Sequence, residues 1–163
     1  MGVEATLTGL KGVLDRLSGL QTDNLIKEVR IGLQSGLNDI AGEAKMLCPA
    51  DTGQLRNSIK TRIRQEGAEL VGEVYTAAEH ARYVELGTGP RGEANHAGID
   101  PEIAAKVTYS PKGWTYRDKD GEFRHTKGMP ARPFLYPAYK SQRGKVYRNV
   151  AGAIIRATKG VNA

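Results

Sequence analysis

The chain has 163 residues, 24 Lys and Arg against 18 Asp and Glu, and one cysteine. This length suits a single domain over residues 1–163 with a modest core, and one cysteine excludes an internal disulfide framework. The three histidines stand far apart, no apolar run reaches about 20 residues, and no secretory signal is visible, so we expect no metal, no cofactor and no membrane partner.

The first third of the chain predicts a strand and two helices. Val3, Ala5 and Leu7 alternate as in a short strand. Thr8 then caps a first helix over residues 8–17. A longer helix begins at Thr22 or Asp23 and is ended by Pro49. Its apolar positions recur every three or four residues and are Ile26, Val29, Leu33, Leu37, Ile40, Ala44 and Leu47. Its three glycines, at 32, 36 and 42, are best explained by close packing against a neighbour.

Two hairpins are predicted next. A short helix at residues 54–58 leads into a strand at 59–64 that alternates apolar and basic residues, and residues 69–76 return beside it. A long loop at 87–105 then precedes a hairpin near 113–126. We expect this loop to be protease-sensitive, because it has few apolar anchors.

A terminal helix completes the predicted fold. Val146, Val150, Ala153, Ile154 and Ala157 share one face of it, and Pro137 fits only in its first turn. The fold class is therefore α+β, with N-terminal helices, one of them long, packed on a small antiparallel sheet of hairpins, and a C-terminal helix.

Charge is distributed unevenly along the chain. Residues 1–105 hold 11 basic and 15 acidic side chains, whereas residues 106–163 hold 13 basic and 3 acidic ones. This gradient indicates an anionic partner, either nucleic acid or an acidic protein surface, or else a solvated basic helix face.

Candidate chemistry in the sequence is weak, and we expect no enzyme activity. Residues 87–92 match the letters G-x-G-x-x-G, but Pro90 removes an amide, the preceding residues look helical and no helix evidently follows. Cys48 with His80 could pair as nucleophile and base, yet Cys48 ends an apolar helix face, where a small buried residue is the commoner role. The sequence therefore predicts no catalytic residue.

Three ordered motifs resemble those of one protein family. Residues 48–59, CPADTGQLRNSI, are similar to a P-x-D-T-G-x-L-R-x-S-I signature, residues 81–88 to a Y-V-E-x-G-T block, and residues 130–138 to a P-A-R-P-F-L-x-P-A block. Together they resemble the gene-product-ten-like phage tail-component family, the neck or tail-completion group of long-tailed phages and prophages. The motif residues are Pro49, Asp51, Thr52, Gly53, Leu55, Arg56, Ser58, Tyr83, Val84, Glu85, Gly87, Thr88, Pro130, Arg132, Pro133, Phe134, Leu135 and Pro137. We expect most of them to fix backbone geometry rather than contact a partner.

The resemblance implies a virion structural protein, assembled in the host cytoplasm. It implies a ring of copies of this chain, expected to be six, that joins the head-closure or connector protein to the tail terminator or tail tube and lets DNA pass through its lumen. A tail terminator ring is the nearest alternative. A small basic nucleic-acid-binding protein is the alternative from another class.

Overall fold

The computed structural model describes residues 2–7, 22–49, 53–67, 69–94, 98–118 and 120–159. The strands are β1 (Gly2–Leu7), β2 (Ile59–Glu66), β3 (Glu69–Thr76), β4 (Trp114–Arg117) and β5 (Phe123–Thr126). The helices are α1 (Thr22–Leu47), α2 (Gln54–Ser58), α3 (Ala81–Leu86), α4 (Gly89–Glu93), α5 (Pro101–Ala104) and α6 (Leu135–Lys159). These elements confirm the α+β class, while the helix predicted at residues 8–17 lies outside the described residues.

The two long helices, α1 and α6, pack against each other in antiparallel fashion. Glu28 meets Arg156 near one end of the pair at 3.6 Å, and Gln142 donates to Glu43 near the other at 3.4 Å. A Cβ added at Gly36 would lie 2.8 Å from the Cα of Val146. The predicted close packing is thus confirmed at Gly36, and Gly32 is equally crowded against α6, but the prediction is wrong for Gly42, which faces open space.

The apolar face of α1 forms the centre of the core. Five of its predicted positions are buried, and these are Val29, Leu33, Leu37, Ile40 and Ala44. The prediction is wrong at the two ends of the stripe. Leu25 is buried and Ile26 only partly, because the row of residues spaced four apart continues backwards from Val29 to Leu25. Leu47, the last helical residue, is 43% exposed, and Cys48 after it is buried instead.

A three-stranded antiparallel sheet covers α1, with β3 between β1 and β2. The strands predicted at the N-terminus and in the first hairpin are confirmed, with Ile59 opposite Thr76 and Glu66 opposite Glu69. Leu70 and Val74 are buried on the face toward the helices, and a Cβ at Gly72 would touch Leu37 and Leu33. The alternation of apolar and basic residues along β2 therefore determines which face of the sheet joins the core.

The opposite face of the sheet is polar, as the basic residues of β2 predict. Arg62 bonds Glu73 across the strand pair at 2.5 Å, and its guanidinium lies 4.7 Å from the centre of the Tyr75 ring. Arg64 approaches the same Glu73 carboxylate at 3.8 Å. The two arginines of β2 are thus engaged within the chain.

The predicted loop at 87–105 contains two short helices, which corrects the expectation that no helix follows the Gly-rich residues. Pro90 and Pro101 lie in the first turns of α4 and α5, where a missing N–H costs nothing and the fixed φ favours a helix. Asp100 caps α5 by accepting from the amide of Glu102 at 2.8 Å. Ile99 is 5% exposed, so the expected lack of apolar anchors is also wrong.

The second predicted hairpin is confirmed as β4 and β5, and the terminal helix as α6. Trp114 pairs with Thr126 at the base of the hairpin, and Arg117 pairs with Phe123 at its far end. The predicted stripe of α6 packs on the core, with Val146, Val150, Ala153 and Ala157 buried and Ile154 partly buried. Pro137 is the third residue of α6, within its first turn.

Candidate functional site

The first motif lies where α1 gives way to the sheet. Leu55 of α2 is 6% exposed, and Arg56 donates to the Cys48 carbonyl at 3.4 Å. Ser58 hydrogen-bonds the Leu55 carbonyl at 2.7 Å and the Thr76 hydroxyl at 2.6 Å. The motif therefore ties α2 back to α1 and across to β3. Its Asp51 and Thr52 lie outside the described residues, so the cap expected from them stays a prediction.

The second and third motifs meet at a buried carboxylate. Glu85 of α3 is 2% exposed, and its Oε2 accepts the backbone N–H groups of Phe134 at 2.7 Å and Leu135 at 3.0 Å. Its Oε1 accepts the N–H of Tyr136 at 3.0 Å. These amides open α6, and a helix leaves its first N–H groups without partners inside the helix. Glu85 thus caps a helix that begins about fifty residues later in the chain.

The electrostatics of this contact explain how a charge is kept in the core. A buried carboxylate is costly unless hydrogen bonds replace its water. Three amide donors do so here, and the positive end of the α6 dipole favours the anion further. No neighbouring cation is needed, because the backbone of α6 supplies the compensation.

Backbone pairing extends the contact on either side of Glu85. The N–H of Arg132 donates to the Val84 carbonyl at 2.8 Å, and Thr88 and Met129 exchange bonds at 2.9 and 3.2 Å. Gly87 sits between these bonds at φ 72°, where a Cβ would lie 2.6 Å from the amide nitrogen of Ala131. Only glycine suits this backbone conformation and this spacing. We call Glu85 with its three amides and this paired backbone the Glu85 junction.

Cys48 lies close enough to the Glu85 junction to feel its charge. Burial raises the pKa of the Cys48 thiol above its ordinary value, the Arg56 charge lowers it, and the Glu85 charge raises it again. A catalytic thiol needs a lowered pKa. Cys48 is 2% exposed whereas His80 is on the surface, so the packing role predicted for Cys48 is confirmed.

The remaining motif residues divide by burial into three groups. Phe134 and Leu135 are fully buried, which confirms them as anchors of α6, and Gly87 is buried beside them. The partly buried members are Pro49, Gly53, Arg56, Ser58, Val84, Thr88, Pro130, Pro133 and Pro137. Tyr83 and Arg132 are exposed. Of the sixteen described motif residues, five are therefore buried, nine are partly buried and two are exposed.

The Gly-rich residues 87–92 do not form a nucleotide-binding turn. They follow helix α3 rather than a strand, and the helix that they open has five residues. Across the described ranges, no group of three His, Cys, Asp or Glu side chains is placed to hold a metal ion. In the same part of the chain, no helix combines the length and apolar character that membrane crossing requires.

Comparison with known proteins gives one similar family. Residues 11–87 match a family model described as "Bacteriophage HK97-gp10, putative tail-component". The predicted resemblance to the gene-product-ten-like tail components is thereby confirmed over this part of the chain, which contains the first motif and all of the second except Thr88. Residues 11–87 are thus similar to a family of phage tail components. Neither the curated proteins nor the solved structures contain a match to the chain.

Sequence reasoning missed the cap made by Glu85, although two signals pointed to it. The residues just before α6 are Pro133 and Phe134, neither of which can cap a helix with its side chain. Glu85 also lies four positions after Ala81, which is fully buried, so both residues share one face of α3. A helix without a local cap and an acid on a buried helix face are complementary clues.

Proposed function

We propose that this chain is a structural protein of the phage virion, a tail-completion subunit of the neck. In this proposal, copies of the chain form a ring, expected to have six members, between the head-closure or connector protein and the tail terminator or tail tube. DNA passes through the lumen without sequence-specific contact. The subunits are made in the host cytoplasm and end in the virion.

The observation that carries the proposal is the match of residues 11–87 to a phage tail-component family. The third motif lies outside the matched range, and the Glu85 junction joins it to the second one through three hydrogen bonds. The second and third motifs of the resemblance therefore belong to one physical unit, which supports extending the likeness beyond residue 87.

The charge pattern supports assembly from unlike surfaces. The outward side of α6 exposes Lys140, Arg143, Lys145 and Arg148. A ring of identical copies needs two different complementary surfaces on each copy, and a basic face can serve as one of them. Native mass spectrometry of extracted necks tests this idea, and a spectrum with monomers alone would contradict it.

Deleting the gene in the phage that carries it tests the neck position. We expect DNA-filled heads and complete tails that remain unjoined in electron micrographs of the lysate, with infectivity lost. Tails of uncontrolled length would favour the alternative of a tail terminator. Intact, infectious virions would overturn both proposals, and empty heads alone would indicate an earlier role.

The basic face of α6 also favours a second candidate, a nucleic-acid-binding protein. Each phosphate neutralised by a cation releases counterions, so DNA binding would weaken steeply as salt rises. Filter retention of the purified chain on DNA at 50 and 200 mM salt tests it. Absence of retention at the lower salt would end this alternative while leaving the neck proposal standing.

A further inference from the structure

The hairpin β4–β5 stands apart from the three-stranded sheet. It forms a separate two-stranded sheet, and within the described part of the chain no third strand joins it. Seven of its eight strand residues are exposed. Phe123, at its far end, is 80% exposed, the highest value among the large apolar side chains of the described residues. An isolated two-stranded ribbon is marginally stable in water, so an exposed aromatic on it indicates a binding surface.

A groove of about 800 Å³ opens at the base of the same hairpin. Its walls are mostly apolar and come from α3, from residues 107–110 and from the residues flanking the hairpin. The large side chains that line it include Tyr83, Leu86, Tyr109, Trp114 and Met129. Tyr109 is fixed in the wall because its hydroxyl donates to the Leu86 carbonyl at 2.7 Å.

One copy cannot place its own Phe123 in its own groove. Trp114 forms part of the groove wall and is also the first residue of β4, paired with Thr126. Phe123 pairs with Arg117, three residues further along the strand. At about 3.4 Å per residue, Phe123 stands about 10 Å from the base and points away with the hairpin. An occupant with this side chain must come from another molecule.

The charges of the two surfaces are complementary. The turn at residues 118–122, next to Phe123, holds three carboxylates and one lysine. The cations of the adjoining strands are engaged locally, since Arg117 donates to the Gly121 carbonyl and Arg124 to Asp118, both at 2.8 Å. Arg82 and His80 line the groove, and no carboxylate does so among the described residues. Because Arg124 pairs with both Asp118 and Glu122, the exposed Asp120 is the carboxylate of this turn that can meet Arg82 of the groove when the two surfaces approach.

We propose that Phe123 of one copy inserts into the groove of the next copy, forming the head-to-tail contact of the ring. This inference rests on the proposed function, because that function requires identical copies to associate. A protruding side chain and a groove on the same chain form a heterologous interface, which closes into a ring when the rotation between copies allows it.

Disulfide trapping tests the contact directly. Two single-cysteine variants, Phe123→Cys and Met129→Cys, are made on a Cys48→Ala background, mixed, and oxidised. Only residues with Cα atoms within about 7 Å can be bridged, so we expect mixed dimers on a non-reducing gel. Met46→Cys, an accessible apolar position on α1 at 72% exposure, replaces Phe123→Cys in the control pair. The proposal would be overturned if mixed dimers were no more abundant than in the control pair. It would also be overturned if dimers linked through position 123 of both copies outnumbered the mixed dimers.

Complementation gives an independent test of direction. Phe123→Asp removes the inserted side chain and Met129→Asp fills the groove with charge, and each should weaken self-association about thirty-fold, as loss of one anchor residue does. Mixed together, the two variants keep one intact contact, so native mass spectrometry should show a 1:1 heterodimer that neither variant forms alone. Absence of that heterodimer would contradict the inference. Met46→Asp, at an exposed site on α1 outside both surfaces, should associate as the parent chain does.

The two proposals fail separately. Trapped mixed dimers from a chain whose deletion leaves virions intact would support the contact and overturn the neck position. Unjoined heads and tails from the deletion, with trapping at the control level, would support the neck position and assign the ring contact to another surface.

Discussion

The Glu85 junction and the hairpin β4–β5 differ in how far their side chains are buried and in how many motif residues they contain. The junction buries Glu85, Phe134 and Leu135, satisfies a charge with three amides and contains most residues of two motifs. The hairpin exposes its aromatic side chains and lies outside all three motifs. The second motif therefore serves two roles, because Glu85 belongs to the junction while Tyr83, Val84, Gly87 and Thr88 line the groove. Phe123, which is proposed to enter that groove in another copy, lies outside all three motifs.

The largest expected effect is the difference in stability loss when one residue of the Glu85 junction and one residue of the hairpin are each replaced by aspartate. Leu135→Asp puts a carboxylate at a site that is 1% exposed, at a cost of several kcal/mol. Because a domain of this size has about 5–15 kcal/mol of stability, the subunit should fold poorly. Phe123→Asp, at a site that is 80% exposed, should change stability by less than about 0.5 kcal/mol. Urea unfolding of both variants measures this, and equal losses would erase the contrast.

Removal of the Glu85 charge should rank second. Glu85→Gln replaces one acceptor oxygen with an NH₂ group that faces the amides of α6, so we expect a loss of about 2–3 kcal/mol. Glu85→Ala should cost more, since it leaves three buried amides without an acceptor. Glu79→Gln, an exposed acid in the residues leading to α3, is the matched control. If Glu85→Gln unfolds at the same urea concentration as this control, the capping role is wrong.

The helix pair offers a third comparison, between two glycines of α1. Gly36→Ala forces a Cβ against the backbone of Val146 and should destabilise the chain by about 1–3 kcal/mol. Gly42→Ala meets nothing within 4 Å and should stabilise it by about 0.5–1 kcal/mol through helix propensity. Thermal unfolding should therefore show shifts of opposite sign. Shifts of the same sign would show that α6 does not press on Gly36.

The smallest effect concerns pH and the turn of the hairpin. The hydrogen bond from Arg124, together with those from the amides of the turn, lowers the pKa of Asp118 below its ordinary value. A lowered carboxyl pKa contributes stability that is present above the unfolded-state pKa and is lost as pH falls through the folded-state value. Amide NMR signals of residues 118–122 should therefore disperse less in strong acid. In Asp118→Asn this change should be absent, and a turn that keeps its dispersion in the unsubstituted chain would contradict the role of Asp118.

Periodicity and turn chemistry predicted most of the fold. The stripe of α1, the alternation of β2 and the position of Pro137 each determine local structure from neighbouring residues, so the sequence reveals them. The two short helices inside the loop at 87–105 were not predicted, although Pro90 and Pro101 lie in their first turns, where proline is favoured. The Glu85 cap and the groove depend on residues about fifty and about thirty positions apart. No local pattern reports contacts of that separation.

The antiparallel packing of α1 and α6 has a consequence for how the protein is made. Gly32 and Gly36 leave the ribosome early, yet the helix that packs on them is synthesised after every other described element. Until residues 135–159 have emerged, only the sheet can cover α1, so the side of α1 toward α6 stays open and the Glu85 carboxylate has no amides to bind. Contacts of such long sequence separation form late in folding. Only a chain translated through α6 can complete its core, so incompletely synthesised chains cannot supply competent subunits.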